Sequence, residues 1–271
     1  LTNPDKNKYD PNVMMWGDFI KNGRSTGNLK HVPYDPKHAA LIVHTGGTTG
    51  KPKGVLLGAK ALNALAYQMT LKRFDERQQR FLNIMPPFIA YGYGCGVHTP
   101  LSAGSEVILI PVFDPKNFGK LLNKYHPEHT AGVPLHYQGL VNDPRMKGKD
   151  LSYLISTGSG GDAISRQAEE QVNKFLKEHG SKYLLCKGYG MTEVSAGVAT
   201  SMKEINRAGS VGIPLALTTV GIFEPGTENE LGFNEEGEVC VTGPNNMLGY
   251  YEMPEETAKV LRTHSDGLEW V

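Results

Sequence analysis

The stretch Leu41-Ile42-Val43-His44-Thr45-Gly46-Gly47-Thr48-Thr49-Gly50-Lys51-Pro52-Lys53-Gly54-Val55 sets the frame for the rest of the chain. Leu41 to Val43 is a short apolar run of the kind that forms a buried strand. It opens into Thr45 to Gly54, ten residues that include four glycines, three threonines and two lysines. Glycine lets a backbone approach a ligand closely. Consecutive N–H groups in such a turn form a concave nest for anions. Threonine hydroxyls add rotatable donors, and lysines add mobile positive charge. The composition predicts a grip for a polyphosphate, with a plain surface loop as the competing reading.

A Walker A loop does not fit. That motif needs G-x-x-x-x-G-K-[ST] running straight into a helix. Here Pro52 follows Lys51, and Thr45 stands where the first glycine belongs. Proline removes an N–H and blocks helical continuation.

Outward from this stretch, the pattern alternates between strand and helix. Upstream, Val13, Trp16, Phe19 and Ile20 recur at helical spacing until Gly23. Downstream, Val55–Leu57 reads as a strand and Lys60–Arg73 as an amphipathic helix built on Leu62, Leu65, Ala66 and Met69. Strands are expected at Phe81–Met85, Glu106–Ile110, Thr130–Val133, Leu151–Ser156 and Tyr183–Cys186. Asp114 caps a helix with Pro115 at its first position. Ser165 caps another that runs to Gly180. Phe88–Gly96 mixes large apolar rings with glycines, and its aromatics read as core. This alternation predicts an α/β fold with a largely parallel sheet flanked by helices. After about residue 208, glycine, proline and short strands at Thr219–Phe223 and Glu238–Thr242 predict a small β-rich, barrel-like subdomain. The expected organisation is an N-terminal helix and linker (1–36), an α/β core (37–208) and a partial β subdomain (209–271).

Composition narrows the function. Lys plus Arg balance Asp plus Glu at 28 each, which gives no electrostatic footprint for nucleic acid or an anionic membrane. The apolar runs are too short to span a bilayer, and no secretory leader is read. Cys95, Cys186 and Cys240 are far apart in the sequence and suit a reducing cytoplasm better than a disulfide framework. The histidines, including His126 and His129, have no metal-ligand company. The chain begins at Leu1 and ends on an apolar residue, Val271, so both ends read as cut from something longer.

Further motifs fill the core. Gly158-Ser159-Gly160-Gly161-Asp162-Ala163 satisfies G-x-G-x-x-A between a strand and a helix, and Glu178 lies twenty residues after Gly158. By the letter this is a dinucleotide fingerprint, which makes an NAD(P)-dependent oxidoreductase the rival reading. Against it, Glu178 falls inside the helix, whereas a ribose-binding acid should end the next strand.

Taken together, the motifs resemble those of the adenylate-forming enzymes: acyl-CoA synthetases, luciferases and peptide-synthetase adenylation domains. Thr45–Gly54 fits that family's T-[SG]-G-[ST]-[ST]-G-x-P-K-G throughout, and Ser159–Asp162 matches its S-G-G-[ADE] segment. Tyr189-Gly190-Met191-Thr192-Glu193 matches Y-G-x-T-E, Gly209–Pro214 matches G-S-V-G-x-P, and Gly237–Gly243 with Gly249-Tyr250 matches the later G-E-[LV]-x-[VI]-x-G…G-Y. Tyr189 offers a flat face to a purine, and Gly190 allows close approach. Thr192 can donate to a phosphate, and Glu193 is a hard oxygen donor suited to Mg²⁺.

The resemblance implies an ATP-dependent carboxylic acid–CoA ligase that forms an acyl-adenylate and then a thioester. ATP, Mg²⁺ and coenzyme A would be its cofactor and co-substrates, and a homodimer is left open. A ligase that loads a carrier protein is the alternative. The resemblance assigns Thr45, Gly46, Gly47, Thr48, Thr49, Gly50, Lys51 and Lys53 to the β- and γ-phosphates. Gly160, Gly161, Asp162 and Tyr189 fall to adenine, with Gly190 and Met191 beside them. Thr192 goes to the α-phosphate and Glu193 to the metal; Lys53, Thr192 and Glu193 form the catalytic set. Ile89, Tyr91, Val133 and Gly190 are placed against the acid. An uncharged apolar acid (fatty, aryl or alicyclic) is expected, because no Asp stands after Pro87 to pair an α-ammonium. Ile89 stands where many relatives carry a gating His or Trp, so no gate is assigned. The family's T-G-D, its mobile C-terminal lid domain and its N-terminal lobe fall outside the sequence, so this fragment is expected not to run the complete reaction.

Overall fold

The computed structural model describes residues 14, 16–24, 33–45, 52–73, 79–110, 112–203 and 205–271. Chain contacts divide it into Leu1–Asp35 and Pro36–Val271. In the first unit, the spacing of Trp16, Phe19 and Ile20 forms helix α1 (Trp16–Arg24). Val13 lies outside the described residues, as does the stretch 46–51 of the glycine-rich loop.

In the second unit, β1 (Ala39–His44) and β2 (Gly54–Gly58) pair antiparallel, with Val43 opposite Val55 and His44 opposite Gly54. Helix α2 (Ala59–Arg73) follows at once and buries Leu62, Leu65, Ala66 and Met69, the stripe expected of its spacing. Val43, Val55 and Leu57 meet Leu62 in one apolar cluster.

The larger sheet begins at β3 (Arg80–Asn83) and steps out to β4 (Glu106–Leu109). It then returns to the other side of β3 with β5 (His129–Gly132), β6 (Ser156–Ser159) and β7 (Cys186–Tyr189), all parallel. Two antiparallel strands, β8 (Ala199–Thr200) and β9 (Ile213–Pro214), complete the order β4-β3-β5-β6-β7-β8-β9. The expected α/β architecture is therefore present. A π-helix, Tyr91–His98, leads into α3 (Thr99–Ser102). Helices α4 (Phe118–Tyr125), α5 (Pro134–Val141) and α6 (Arg166–Glu178) follow.

Strand alternation sorts these helices onto two faces. Leu82 packs with Phe118 and Leu122 of α4, Tyr137 of α5 and Leu176 of α6. Asn83, one residue on, serves the opposite face: its amide donates to the Gly92 carbonyl at 3.0 Å, and its Oδ1 accepts the Met85 N–H at 3.0 Å. The π-helix can settle there because position 92 is glycine; a Cβ at Gly92 would lie 1.9 Å from the Pro86 carbonyl oxygen.

Four local expectations are corrected. The aromatics of Phe88–Gly96 are not simply core: Phe88 is exposed, Tyr91 and Tyr93 are half-buried, and a π-helix begins at Tyr91. The strand expected at Thr130–Val133 runs from His129 to Gly132, and Pro134 opens α5, where a missing N–H costs nothing. Leu151–Ile155 is an irregular connection, in which the Leu151 N–H donates to the His179 carbonyl and the Ile155 N–H to that of Glu128, so β6 forms only at Ser156–Ser159. Likewise β7 lies three residues later than Tyr183–Cys186. At β6 the buried Leu151 and Leu154 fill the core ahead of a strand made of small residues, Ser156–Ser159; at β7 the run ends on the buried Leu185, and the strand itself is Cys186–Tyr189.

Beyond residue 208, β10 (Thr219–Phe223) pairs with β11 (Glu238–Thr242), and β13 (Arg262–Thr263) with β14 (Glu269–Trp270). The β-rich character is as expected, but among the described residues no barrel closes. Instead β12 (Gly249–Tyr250) leaves to pair with β2, ahead of α7 (Pro254–Val260).

A buried ion pair ties α6 to β7. Lys187 and Glu169 side chains are 5% and 3% exposed and bonded to each other. The Lys187 ammonium also donates to Asn206 Oδ1 (2.8 Å) and the Arg207 carbonyl (3.2 Å), and Glu169 Oε2 accepts the Gly209 N–H (3.2 Å). Removing one charge strands the other in a dry site. Lys187→Met is therefore expected to destabilise by about 3–5 kcal/mol, and Lys187→Met with Glu169→Leu to recover most of the loss, measured by urea unfolding.

Candidate active site

Because β3 to β7 are parallel and the order reverses about β3, the turns leaving β5, β6 and β7 converge outside one sheet edge. A cavity of about 300 Å³ opens there. Gly158–Gly161 and Gly188–Thr192 line it at the carboxyl ends of β6 and β7. Phe81, His129 and Ser156 line it as well, and these lie toward the amino ends of β3, β5 and β6. Three residues of strand separate the two ends, so the cavity runs about 10 Å along the sheet face. Its other wall is the π-helix side: Tyr91, Cys95 and Thr99, spaced four apart, stand over it with Ile89. Tyr91 is steadied by donating to the Gly132 carbonyl at 3.2 Å.

Of the residues picked from sequence, Ile89, Tyr91, Gly160, Gly161, Tyr189, Gly190, Met191 and Thr192 line this cavity together. Val133 does not; it sits behind Gly161, 3.8 Å from where a Cβ there would be. Asp162 is exposed, with its Oδ1 accepting the Ala163 N–H at 2.7 Å. Gly46, Gly47, Thr48, Thr49, Gly50 and Lys51 lie outside the described residues. Their two flanks are placed: Thr45 N–H donates to the Lys53 carbonyl (2.9 Å), and Lys53 N–H to Thr45 Oγ1 (3.3 Å), next to His44 of the cavity lining.

Position 190 tolerates only glycine, since a Cβ would stand 1.4 Å from the Ala196 carbonyl oxygen. Ser195 and Ala196, with φ of 60° and 99°, fold the chain back at that point. Tyr189 has its phenol pKa raised by burial and by the charge of Glu193.

Glu193 and Lys53, outside the lining, meet through two residues to which the sequence reading gave no role. Lys53 Nζ lies 2.6 Å from Glu256 Oε2 and 4.8 Å from the centroid of the Tyr250 ring. The Tyr250 hydroxyl donates to Glu193 Oε1 at 2.8 Å. Burial and this bond to a carboxylate push the Tyr250 phenol well above its ordinary value. Glu256, hydrogen-bonded to Lys259 and Lys53, is held down to about 2. Tyr250 was visible only as part of a G-Y pair, and Glu256 as one more surface charge. Nothing local marks a contact across 203 residues.

Among the described residues, no three His, Cys, Asp or Glu side chains gather as a metal site. The dinucleotide arrangement is not built either: Glu178 is the last residue of α6 rather than the end of β7. No helix among the described residues is long and apolar enough to cross a membrane.

A parallel sheet with such a cavity at its switch point defines a ligand-binding α/β protein. Residues 3–251 match the AMP-binding enzyme family, and the chain belongs to it. It is 36% identical over 232 residues to a long-chain-fatty-acid–CoA ligase of Bacillus subtilis, covering 84% of this chain and 40% of the relative. It is 30% identical over 252 residues to a probable 4-coumarate–CoA ligase of Dictyostelium discoideum, covering 92% and 45%. The fold matches the crystal structure of a long-chain-fatty-acid-CoA ligase from Archaeoglobus fulgidus with a TM-score of 0.80 at 25% identity, covering 90% of this chain and 50% of that one. The chain thus spans less than half the length of these two sequence relatives.

Two outcomes are expected of the site as built. Gly190→Ala will lower the thermal midpoint and disrupt the turn, seen as altered amide shifts around Ala196. A carboxyl-carbon titration of Glu256 will find its midpoint near 2 instead of its ordinary 4.5. A carboxylate with a depressed folded value stabilises fully above 4.5, and that contribution fades as pH falls toward 2.

Proposed function

We propose that this chain provides the nucleotide- and acid-binding part of an ATP-dependent carboxylic acid–CoA ligase that works through an acyl-adenylate. The observation that carries the reading is the cavity: two glycine-containing turns at the carboxyl ends of β6 and β7 line it together with the apolar Phe81, Met69, Ile89 and Tyr91. One end suits a polar phosphate-bearing group, the other an apolar tail.

In this proposal the loop between Thr45 and Lys53 takes the β- and γ-phosphates, and Thr192 donates to the α-phosphate. Gly160, Gly161, Asp162 and Tyr189 hold adenine, with Gly190 and Met191 shaping its edge. The acid's carboxylate attacks the α-phosphorus, forming a P–O bond as pyrophosphate leaves. The thiol of coenzyme A then attacks the acyl carbon and AMP departs. Glu193 fits as a single protein ligand to Mg²⁺, an ion usually bound through one or two carboxylates plus substrate phosphates. When bound there, Mg²⁺ would supply positive charge to the phosphate oxygens. Lys53 adds positive charge where negative charge develops on the leaving pyrophosphate.

The acid is placed against Ile89, Tyr91 and Gly190, with Val133 behind them. The relatives' names, one a fatty-acid ligase and one a coumarate ligase, and the apolar channel together favour an uncharged apolar acid. The three free cysteines are all buried thiols, which suits the cytoplasm where we place the protein.

Calorimetric titration of this chain with MgATP tests the site, with Lys53→Ala and Glu193→Ala combined as control. Binding in the wild type and its loss in the variant are expected; equal binding in both would reject the assignment. A chain extended to the relatives' length should then release pyrophosphate only when an apolar carboxylic acid is supplied.

A further inference from the structure

Lys53 is engaged without any ligand present, and its partner is on the far side of the sequence. Glu256 Oε2 holds its ammonium at 2.6 Å, and the Tyr250 ring lies under it. We infer that Glu256 is the resting counter-ion of Lys53, exchanged for the phosphate chain when a nucleoside triphosphate binds, so that α7 sets polyphosphate affinity. This rests on the reading of Lys53 as a phosphate-binding residue.

Three features make the pair exchangeable. Both side chains are about one-third exposed (31% and 35%), so water and salt screen their attraction. The two carboxylate oxygens serve different cations: Oε1 takes Lys259 and Oε2 takes Lys53. When Lys53 leaves, Glu256 keeps Lys259 and is not stranded. The Lys53 backbone, meanwhile, is pinned through both its N–H and its carbonyl to Thr45. Only the side chain has to swing, and the Tyr250 face keeps it close to Glu193 throughout. By contrast, the other lysine–glutamate pair near the site, Lys187–Glu169, is fully buried and has no such freedom.

A carboxylate that competes with phosphate for one lysine weakens phosphate binding. Glu256→Gln keeps the shape and removes the charge. It should tighten binding of both MgATP and free tripolyphosphate by about two- to fivefold, the range expected for a partly exposed ion pair. Lys259→Met should act in the opposite direction, since Glu256 then has Lys53 as its sole partner among these two, and should weaken both ligands about twofold. Isothermal titration of the wild type, Glu256→Gln, Lys259→Met and Lys53→Ala separates the cases. Tightening in Glu256→Gln with weakening in Lys53→Ala supports the exchange. Weakening in Lys53→Ala with unchanged or looser binding in Glu256→Gln overturns the exchange and leaves the phosphate site standing; Glu256 would then be a positioning partner of Lys53. Binding of neither ligand to the wild type, or binding indifferent to Lys53→Ala, overturns the phosphate reading and this inference with it.

Discussion

Strands β3 to β7 all run one way, so every turn that follows them must leave at the same edge of the sheet. The rest of the molecule answers to that constraint. The turns after β6 and β7 crowd together, and crowding selects small residues. Ser156, Thr157, Gly158 and Ser159 make up all of β6, and each is buried. On one face Tyr137 reaches up from α5 to donate to the Gly158 carbonyl at 2.7 Å. On the other, Ser156, Gly158 and Ser159 border the cavity. A larger side chain on that second face would fill the space a ligand needs.

Two lysine–glutamate pairs flank this edge, and burial gives them different physical characters. Lys187 and Glu169 are removed from water, so each must be fully compensated; Asn206, Arg207 and Gly209 supply the remaining bonds. The result fixes the base of β7 against α6. Lys53 and Glu256 sit in partial contact with solvent, where an ion pair is weak and easily remade. One pair holds the scaffold beneath the Tyr189–Glu193 turn, and the other leaves the lysine beside it free to change partners.

The alternation of strand and helix was legible in the sequence because it rests on local periodicity. Thr219–Phe223 and Glu238–Thr242 were read to the residue, since an isolated antiparallel pair shows its pattern directly. The shifts at β6 and β7 share a cause: Leu151, Leu154 and Leu185 are fully buried core residues and look like strand, while the true ladders, Ser156–Ser159 and Cys186–Tyr189, carry no apolar run. The π-helix escaped because its glycines carry no hydrophobic period; Gly92 is there for close packing on Pro86. At the site, the glycine-containing turns were found because their chemistry is written locally. Phe81, His129 and Ser156 were not, because only the parallel stacking of three strands brings them to one wall.

What joins the separate motifs is a single short pairing. β12 lies against β2, with Gly249 opposite Leu56 and Tyr250 opposite Val55. Val55 is two residues beyond Lys53, and the Tyr251 N–H donates to the Gly54 carbonyl at 2.7 Å. This register carries the Tyr250 ring under Lys53 while its hydroxyl reaches Glu193. On the same side, the Met247 N–H donates to the Glu193 carbonyl at 2.8 Å. A shift of one residue in this pairing would turn Tyr250 to the opposite face of the strand. Lys53 would then lose its aromatic seat and Glu193 its hydrogen-bond donor in the same step. Lys53 and the Tyr189–Glu193 turn, 136 residues apart from Lys53 to Tyr189 in a chain of 271, are therefore aligned by one tyrosine on a two-residue strand.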